Sequence, residues 1–296
     1  MARGVKKPRP AAAPGPRRAG VAAVAAAVAA IYAWFLLSRT GEHELRAGPL
    51  EPVECTPSRV RALQSGCGAA AARCGRMVVD NFASASEIDA MLAIAARGMA
   101  LGGGAGGPTI LDLQSGALSR GDKFVDVWTM FNLTRRPPLT RADVAVYAEL
   151  ADRVRDLAMR TFGLPRLWLT SPTFFARISA DKAPRIENDE YWHEHVDAVQ
   201  YGSFAYTSLL YLSDADADFT GGRLTFAPSA GRPAAHVSPT RGRLVLFSSG
   251  EEMPHLVERV ASGVRLAVTI AFTCNREAAI TDFLSQAAPT DGADDE

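Results

Sequence analysis

The chain carries no net charge, because its 32 lysines and arginines balance its 32 aspartates and glutamates. A balanced chain offers no electrostatic reason to bind nucleic acid or acidic lipid, so nucleic acid is not a predicted partner. The charges are segregated, however: the first eighteen residues contain six bases and no acid, and the last six contain four acids. Because both ends are also rich in Pro, Gly or Ala, we predict a disordered basic tail over 1–19 and a disordered acidic tail over 286–296.

Two familiar site motifs are also missing. No two cysteines have the C-x-x-C spacing of a zinc ribbon. Residues 98–108 include six glycines, but no Gly-Lys-Ser/Thr follows them, so we interpret this segment as a loop and not as a phosphate-binding loop. No internal repeat is evident, and the 296 residues provide room for one large domain or two ordinary ones.

Residues 20–37 form a long uncharged run. A membrane helix needs about 20 apolar residues, so this run is just long enough. The basic residues before it place the N-terminus in the cytosol and the residues after about 38 in the lumen, by the positive-inside rule. The end of the run and the two residues after it read Trp-Phe-Leu-Leu-Ser-Arg, which is a poor cleavage site. This favours an uncleaved signal anchor over a cleaved signal peptide or an Ala-rich soluble helix. We therefore expect a single-pass type II membrane protein of the ER or Golgi, anchored in the bilayer by 20–37.

Two features fit a lumenal location. Asn132 begins an Asn-Leu-Thr tripeptide, which is a glycosylation acceptor. An oxidising lumen permits disulfides among the four cysteines, Cys55, Cys67, Cys74 and Cys274. Four cysteines allow three pairings and the sequence cannot choose among them; a local Cys67–Cys74 bridge and free buried thiols are both open.

The segment after the membrane run divides into a stem over 38–75 and a folded domain over 76–285, which begins with a short strand near 77–82. Ser84 and Glu87 form a capping-box pattern, so a helix follows and stops near Gly98. A second helix runs from about Thr140 to Phe162, and its apolar stripe is assigned to bracing a sheet.

From residue 166 onward the sequence is typical of short strands separated by turns. Helices followed by many strands predict an α+β domain, in which a β barrel or jelly roll is flanked by helices. The predicted strands are Leu167–Leu169, Thr173–Ile178, Phe204–Leu212, Leu224–Phe226, Leu244–Phe247 and Leu266–Phe272.

A candidate metal site lies among these strands. His195 and Asp197 are two residues apart, so in an extended segment both side chains point to the same side. His255 follows after several predicted strands. The intervening chain is long enough to bring His255 back to the end of the barrel where His195 and Asp197 lie. Two histidines and one carboxylate hold one face of Fe(II) and leave the other open for oxygen chemistry, whereas a structural zinc ion is usually enclosed by four ligands.

Arg265 follows ten residues after His255, inside the apolar run Val264–Val268. An inward guanidinium pairs bidentately with a carboxylate, which is what the far end of 2-oxoglutarate requires; the alternative is a surface charge on a strand. His193 shares the parity of His195 and is assigned to the rim, while Glu194 points away.

The stretch from about 190 to 275 resembles the prolyl-4-hydroxylase-like branch of the Fe(II)/2-oxoglutarate-dependent oxygenases. The order and spacing of the motifs carry the resemblance, which covers under a third of the chain. The matching motifs are HVD at 195–197, YTSLLYLSD at 206–214, GGRLTF at 221–226, PTRGRLVLF at 239–247, the histidine at 255 and GVRLAVTIAF at 263–272.

The resemblance implies a double-stranded β-helix, the fold also called a jelly roll. It assigns His195, Asp197 and His255 to iron and Arg265 to the distal carboxylate of 2-oxoglutarate. Tyr211 matches a position that often hydrogen-bonds 2-oxoglutarate, although a packing tyrosine explains it equally well. Collagen-type prolyl hydroxylases usually place Lys at position 265, so prolyl specificity does not follow.

The predicted activity is that of a 2-oxoglutarate-dependent dioxygenase, which hydroxylates a side chain of an unidentified lumenal protein and releases succinate and CO₂. The predicted cofactor and co-substrates are Fe(II), 2-oxoglutarate and O₂, with L-ascorbate as an optional addition. The alternative is a catalytically vestigial jelly-roll binding module tethered to the membrane. A zinc hydrolase is disfavoured, because no general base is positioned near a third ligand.

Overall fold

The computed structural model describes residues 43–56, 67, 73–134, 139–228 and 233–281. The predicted basic tail, membrane segment and acidic tail all lie outside these residues. Within the described ranges, no helix is both long and apolar enough to cross a membrane.

Short strands dominate the described residues, and four helices accompany them. The strands are β1 His43–Glu44, β2 Glu51–Val53, β3 Cys74–Val79, β4 Gly103–Gly104, β5 Thr109–Leu111, β6 Ala117–Gly121, β7 Lys123–Asp126, β8 Trp168–Ser179, β9 Tyr206–Tyr211, β10 Phe219–Gly221, β11 Leu224–Phe226, β12 Ala235–Val237, β13 Leu244–Ser248, β14 His255–Val257 and β15 Val260–Thr273. The helices are α1 Ala85–Met99, α2 Val127–Thr134, α3 Arg141–Phe162 and α4 Asp197–Tyr201, and 3-10 turns occupy Glu187–Asp189 and Arg276–Ala278.

Both long helices begin where the capping residues predict. Ser84 caps α1 in a complete capping box with Glu87. Thr140 caps α3 in the same way, and α3 ends at Gly163, whose φ of 70° is the left-handed conformation that favours glycine. Gly98 does not stop α1, which continues to Met99. A Cβ at position 98 would lie 2.4 Å from a Leu111 methyl group, so this glycine allows α1 to approach β5 closely.

The strands form two sheets. The larger sheet has the order β2-β3-β13-β9-β15-β8-β5-β6-β4, with β10 added beside β15 and β7 beside β6. The smaller sheet has the order β1-β12-β11-β14. Most neighbouring strands run antiparallel; β1–β12 and β4–β6 are the parallel pairs among the described ladders.

Each face of the larger sheet has its own apolar core. Alternate residues of its strands, such as Leu210 and Phe272, pack under α1 and α3. Residues of the opposite parity, such as Leu209 and Phe247, pack against Phe226 of the smaller sheet. Because side chains alternate across a strand, one set of strands can serve both cores. The result is two facing sheets braced by helices on one side, which fits the predicted jelly roll.

Some local predictions were wrong. Residues 98–108 are predicted to be a loop, yet they contain β4, and the sequence analysis names no strand where β5, β6 and β7 follow. Two predicted strands on either side of residue 171 are one continuous strand, β8, which contains a cis peptide bond at Ser171–Pro172. The predicted stem over 38–75 contains β1 and β2, which pair with β12 and β3 of the folded domain. Short polar strands of this kind owe their conformation to pairing with distant strands, which local sequence does not reveal.

The disulfides join Cys55 to Cys74 and Cys67 to Cys274. The local Cys67–Cys74 bridge was therefore a wrong expectation, and so was the alternative of free thiols. Pairing of Val53 with Cys74 in the β2–β3 ladder carries Cys55 beside Cys74, with their Cα atoms 5.3 Å apart. Cys274 directly follows β15, so the second bridge ties residue 67 to the end of a central strand.

Candidate active site

His195 and His255 are held side by side by their own backbones. The N–H of each residue donates to the carbonyl oxygen of the other, and both N···O distances are 2.9 Å. His255 opens β14 at the edge of the smaller sheet, while His195 forms only this isolated bridge. Two residues that are 60 positions apart in the sequence are thereby brought together without any contribution from their side chains.

Asp197 reaches the same point from the start of α4. Val196 is extended, so His195 and Asp197 emerge on the same side, as the i and i+2 spacing predicts. The chain then turns helical at Asp197 itself. One carboxylate oxygen, Oδ2, accepts a hydrogen bond of 2.6 Å from the Thr207 hydroxyl, which lies 2.7 Å from the Ser249 hydroxyl. These contacts fix the carboxylate and leave Oδ1 to face the histidines.

The two imidazole rings are oriented by backbone carbonyl groups. Nδ1 of His195 lies 3.0 Å from the His193 carbonyl oxygen, and Nδ1 of His255 lies 2.9 Å from that of Met253. With the proton on Nδ1, each ring presents the lone pair of Nε2. Each Nε2 lies 3.6 Å from Oδ1 of Asp197. These three are the one His/Cys/Asp/Glu group in the described ranges whose ligand atoms all lie within 4.8 Å of one another.

Burial favours the neutral, metal-binding form of His255. Burial lowers the pKa of the His255 imidazole, and the nearby Asp197 carboxylate partly offsets that effect. The ring of Phe247 meets His255 edge-on at 4.9 Å, and Phe226 lies 6.0 Å away. A neutral imidazole beside a buried carboxylate forms one face of a site for a divalent cation and leaves the other positions free for exchangeable ligands.

Arg265 is buried deep in the domain, with only 2% of its surface exposed. Its Nε donates to the Gly222 carbonyl oxygen at 2.9 Å, while its Nη2 has no hydrogen-bond partner among the described residues. No carboxylate pairs with it there. Gly222 has φ of 65°, and a Cβ at that position would lie 2.9 Å from Cδ of Arg265. The glycine therefore makes space for the guanidinium.

Tyr211 lies beside Arg265. The guanidinium carbon of Arg265 lies 5.3 Å from the centre of the Tyr211 ring. The Tyr211 hydroxyl is fully buried and has no hydrogen-bond partner in the described part of the chain. Burial raises the pKa of Tyr211, and the charge of Arg265 partly offsets this. Tyr211 lies on the same face of β9 as Thr207 and Leu209, and this face points toward the metal ligands.

The unpaired polar atoms fit the far end of a dicarboxylate. A buried cation without an anionic partner is costly, and a buried hydroxyl without a hydrogen bond is unfavourable. One carboxylate placed against Arg265 Nη2 and the Tyr211 hydroxyl would satisfy both groups. The residues thus fit 2-oxoglutarate, whose keto-acid end would bind a metal held by His195, Asp197 and His255.

A cavity of about 570 Å³ joins these groups to the surface. It is lined by all three metal-site residues, by Arg265 and by apolar side chains such as Leu209. Tyr211 is not part of the lining and lies behind it. The volume exceeds that of a small co-substrate, so part of the cavity remains for a second molecule.

An aromatic wall on one side of this cavity was missed by the sequence analysis. The Tyr201 ring stacks on Phe204 at 4.4 Å and lies 6.5 Å from Phe174. Burial and the charge of Asp197 raise the pKa of Tyr201 to about 12, so its hydroxyl stays protonated. Tyr201 is four residues after Asp197, a spacing that shares one face of a helix, but no sequence signal predicted the short helix α4.

The other singled-out residues lie as follows. His193 is exposed at the rim, where its Nε2 lies 2.7 Å from a carboxylate oxygen of Glu190, and Glu194 is also exposed. Asn132 is exposed on α2, and its glycosylation stays a prediction. His236 lies half-buried in β12.

Comparison with known proteins identifies the relatives of this chain. A sequence model of the 2OG-Fe(II) oxygenase superfamily matches residues 182–273, which include the metal-site residues and Arg265. A protein of Xenopus tropicalis named 2-oxoglutarate and iron-dependent oxygenase domain-containing protein 3 is 45% identical over 212 residues. The protein of that name from Homo sapiens is 44% identical over 212 residues. These alignments cover 71% of this chain and 66% of each relative.

Among solved structures, an oxidoreductase of the 2OG-Fe(II) oxygenase family from Burkholderia pseudomallei aligns with a TM-score of 0.46 at 15% identity, covering 77% of this chain and 95% of that one. The match in sequence and the convergence of three iron-type ligands beside a buried arginine agree. The chain therefore belongs to the 2-oxoglutarate and Fe(II)-dependent oxygenase superfamily, whose members use Fe(II), 2-oxoglutarate and O₂.

Proposed function

We propose that this protein is a 2-oxoglutarate-dependent dioxygenase that hydroxylates a side chain of a lumenal protein and releases succinate and CO₂. One observation carries the proposal. A three-residue metal site and the buried guanidinium of Arg265, whose Nη2 has no hydrogen-bond partner among the described residues, line one cavity. A vestigial module would have no reason to keep a buried cation without an anionic partner.

The residues of the chain have distinct tasks in this proposal. His195, Asp197 and His255 would hold Fe(II), which supplies oxygen activation when it is bound together with 2-oxoglutarate. Thr207 fixes the Asp197 carboxylate, so that one oxygen stays directed at the metal. Arg265 would hold the far carboxylate of 2-oxoglutarate.

Apolar side chains surround the buried side of the site. Phe226 and Phe247 pack around His255, and Leu209 adds an apolar side chain to the cavity lining. The remaining cavity volume would admit the substrate side chain from the surface. In this arrangement the substrate reaches the iron from the solvent side, while 2-oxoglutarate lies deeper, toward Arg265.

A lumenal site of action is part of the proposal. The predicted anchor at 20–37, followed by the catalytic domain, supports it. The two disulfides support it as well, because such bonds persist in oxidising compartments and are rare in the cytosol. L-ascorbate belongs to the proposal as an optional reductant.

Turnover of 2-oxoglutarate tests the activity. Full-length protein in detergent should bind Fe(II) and 2-oxoglutarate in anaerobic calorimetry, and in air it should release succinate only when Fe(II) is present. His195→Ala should abolish both signals, while His193→Ala should keep iron binding because the His193 side chain faces the rim. Absence of 2-oxoglutarate binding in the wild type would reject the oxygenase and favour the membrane-tethered binding module.

The substrate itself is accessible by mass spectrometry. Lumenal proteins from cells that express the wild type should carry an added oxygen atom at sites that are unmodified in cells that express Asp197→Ala. If no lumenal protein differs between the two cell lines, hydroxylation of a protein substrate in the lumen is wrong.

A further inference from the structure

Two exposed apolar side chains lie at the mouth of the cavity. In the described part of the chain four large hydrophobic side chains are exposed: Phe124 at 63%, Leu133 at 75%, Ile186 at 46% and Val199 at 62%. Phe124 and Ile186 line the cavity, whereas Leu133 and Val199 do not. Two of the four thus lie on the route to the metal ligands.

These two residues belong to segments that are distant in the sequence. Phe124 lies in β7, and Ile186 precedes the 3-10 turn Glu187–Asp189. Neither of them is buried by the fold, so packing of the domain does not explain why they are apolar. Exposed apolar residues that converge on one place mark a surface that contacts another molecule.

The charges around the mouth are mostly acidic. Asp122 and Glu187 are exposed carboxylates of the lining, and Lys123 is an exposed cation of the same lining. Glu190 is also part of the lining and contacts the His193 ring at 2.7 Å. A rim of this composition disfavours acidic molecules and favours apolar molecules that carry positive charge.

An aromatic surface continues from the mouth to the metal ligands. Phe174 and Tyr201 line this part of the cavity, and Phe204 supports Tyr201 from behind. The Tyr201 hydroxyl makes no hydrogen bond within the described ranges, so it is available to a peptide carbonyl group. An extended polypeptide could therefore contact apolar side chains at the mouth of the cavity and the Tyr201 hydroxyl inside it.

We propose that Phe124 and Ile186 form an apolar collar, which docks a non-polar side chain of an extended polypeptide next to the residue that is hydroxylated. The inference rests on the proposed function and names its substrate class: a polypeptide segment with apolar and basic residues. A free amino acid is too short to occupy the collar and the metal site together, so it is not the substrate.

Stimulated turnover tests the collar. Succinate release by full-length protein is measured with pools of short degenerate peptides and, separately, with a mixture of free amino acids. Peptide pools enriched in apolar and basic residues should stimulate release, whereas free amino acids should not. The double variant Phe124→Ser/Ile186→Ser should need about tenfold more peptide for half-maximal stimulation.

Two further variants sharpen the test. Leu133→Ser removes an exposed apolar side chain that does not line the cavity, keeps the Asn-x-Thr acceptor and should behave as the wild type. Glu187→Lys should shift the preference from basic toward acidic pools, which a merely structural role would not produce. Basal succinate release by the wild type reports separately on the proposed function. The collar is refuted if the double variant matches the wild type, if free amino acids stimulate as well as peptides, or if no pool stimulates.

Discussion

Replacing Arg265 with methionine should make the protein more stable and unable to bind 2-oxoglutarate. Arg265 is 2% exposed, and no carboxylate pairs with it in the described residues. Replacing a buried ion pair by well-packed apolar side chains is often neutral or stabilising, by up to about 1–4 kcal/mol, and Arg265 lacks even the anionic partner that offsets the cost of burial. For a domain of this size each kcal/mol raises the melting temperature by roughly 2–4 °C. In the proposed function the burial cost is retained because the charge serves the co-substrate.

Thermal unfolding with and without 2-oxoglutarate measures both effects. Under anaerobic conditions with a divalent metal, 2-oxoglutarate at about a hundred times its Kd should stabilise the wild type by about 2.7 kcal/mol. Arg265→Met should show a higher melting temperature without the co-substrate and no shift when it is added. Arg265→Lys keeps a charge and serves as the control. A marked loss of stability in Arg265→Met, or an undiminished shift, would refute the reasoning.

Three other changes have defined outcomes. Thr207→Val removes the hydroxyl that fixes the iron-binding carboxylate, so metal titration should show iron affinity about 10–100-fold weaker; unchanged affinity would contradict this role. Gly222→Ala places a methyl group against Arg265, so KM for 2-oxoglutarate should rise while iron affinity stays constant. Replacing Cys67 and Cys274 with serine should lower the free energy of unfolding by about 2–5 kcal/mol, as measured by chemical denaturation. A reducing agent should then lower the stability of this variant less than it lowers the stability of the wild type.

The sequence predicted the polar centre of the site better than its surroundings. His195, Asp197, His255 and Arg265 were singled out because their chemistry imposes residue types and spacings that chance seldom combines. The structure gathers them around one cavity. Helix boundaries at Thr140 and Gly163 were also predictable, because capping residues act through neighbours only a few positions away.

The features that depend on distant pairing were not predictable. The cysteine pairing follows from the register of β2 against β3, and nothing in the local sequence of Cys55 or Cys74 encodes that register. The strands between 103 and 126 are short and contain several glycines, so local propensity favours a loop there. Tyr201 was overlooked because its helix is a single short turn, whose start at Asp197 coincides with a residue assigned to an extended segment.

The reciprocal backbone hydrogen bonds between His195 and His255 affect how the domain responds to loss of its metal ion. Many small metal sites exist only while the metal holds them together, so that loss of the ion is loss of the fold. Here reciprocal backbone hydrogen bonds hold both imidazoles, and the Thr207 hydroxyl holds the carboxylate. None of these contacts involves a metal ion, so we expect the domain to keep its fold when iron is removed. A protein stripped of iron by a chelator should stay folded and regain activity on reloading.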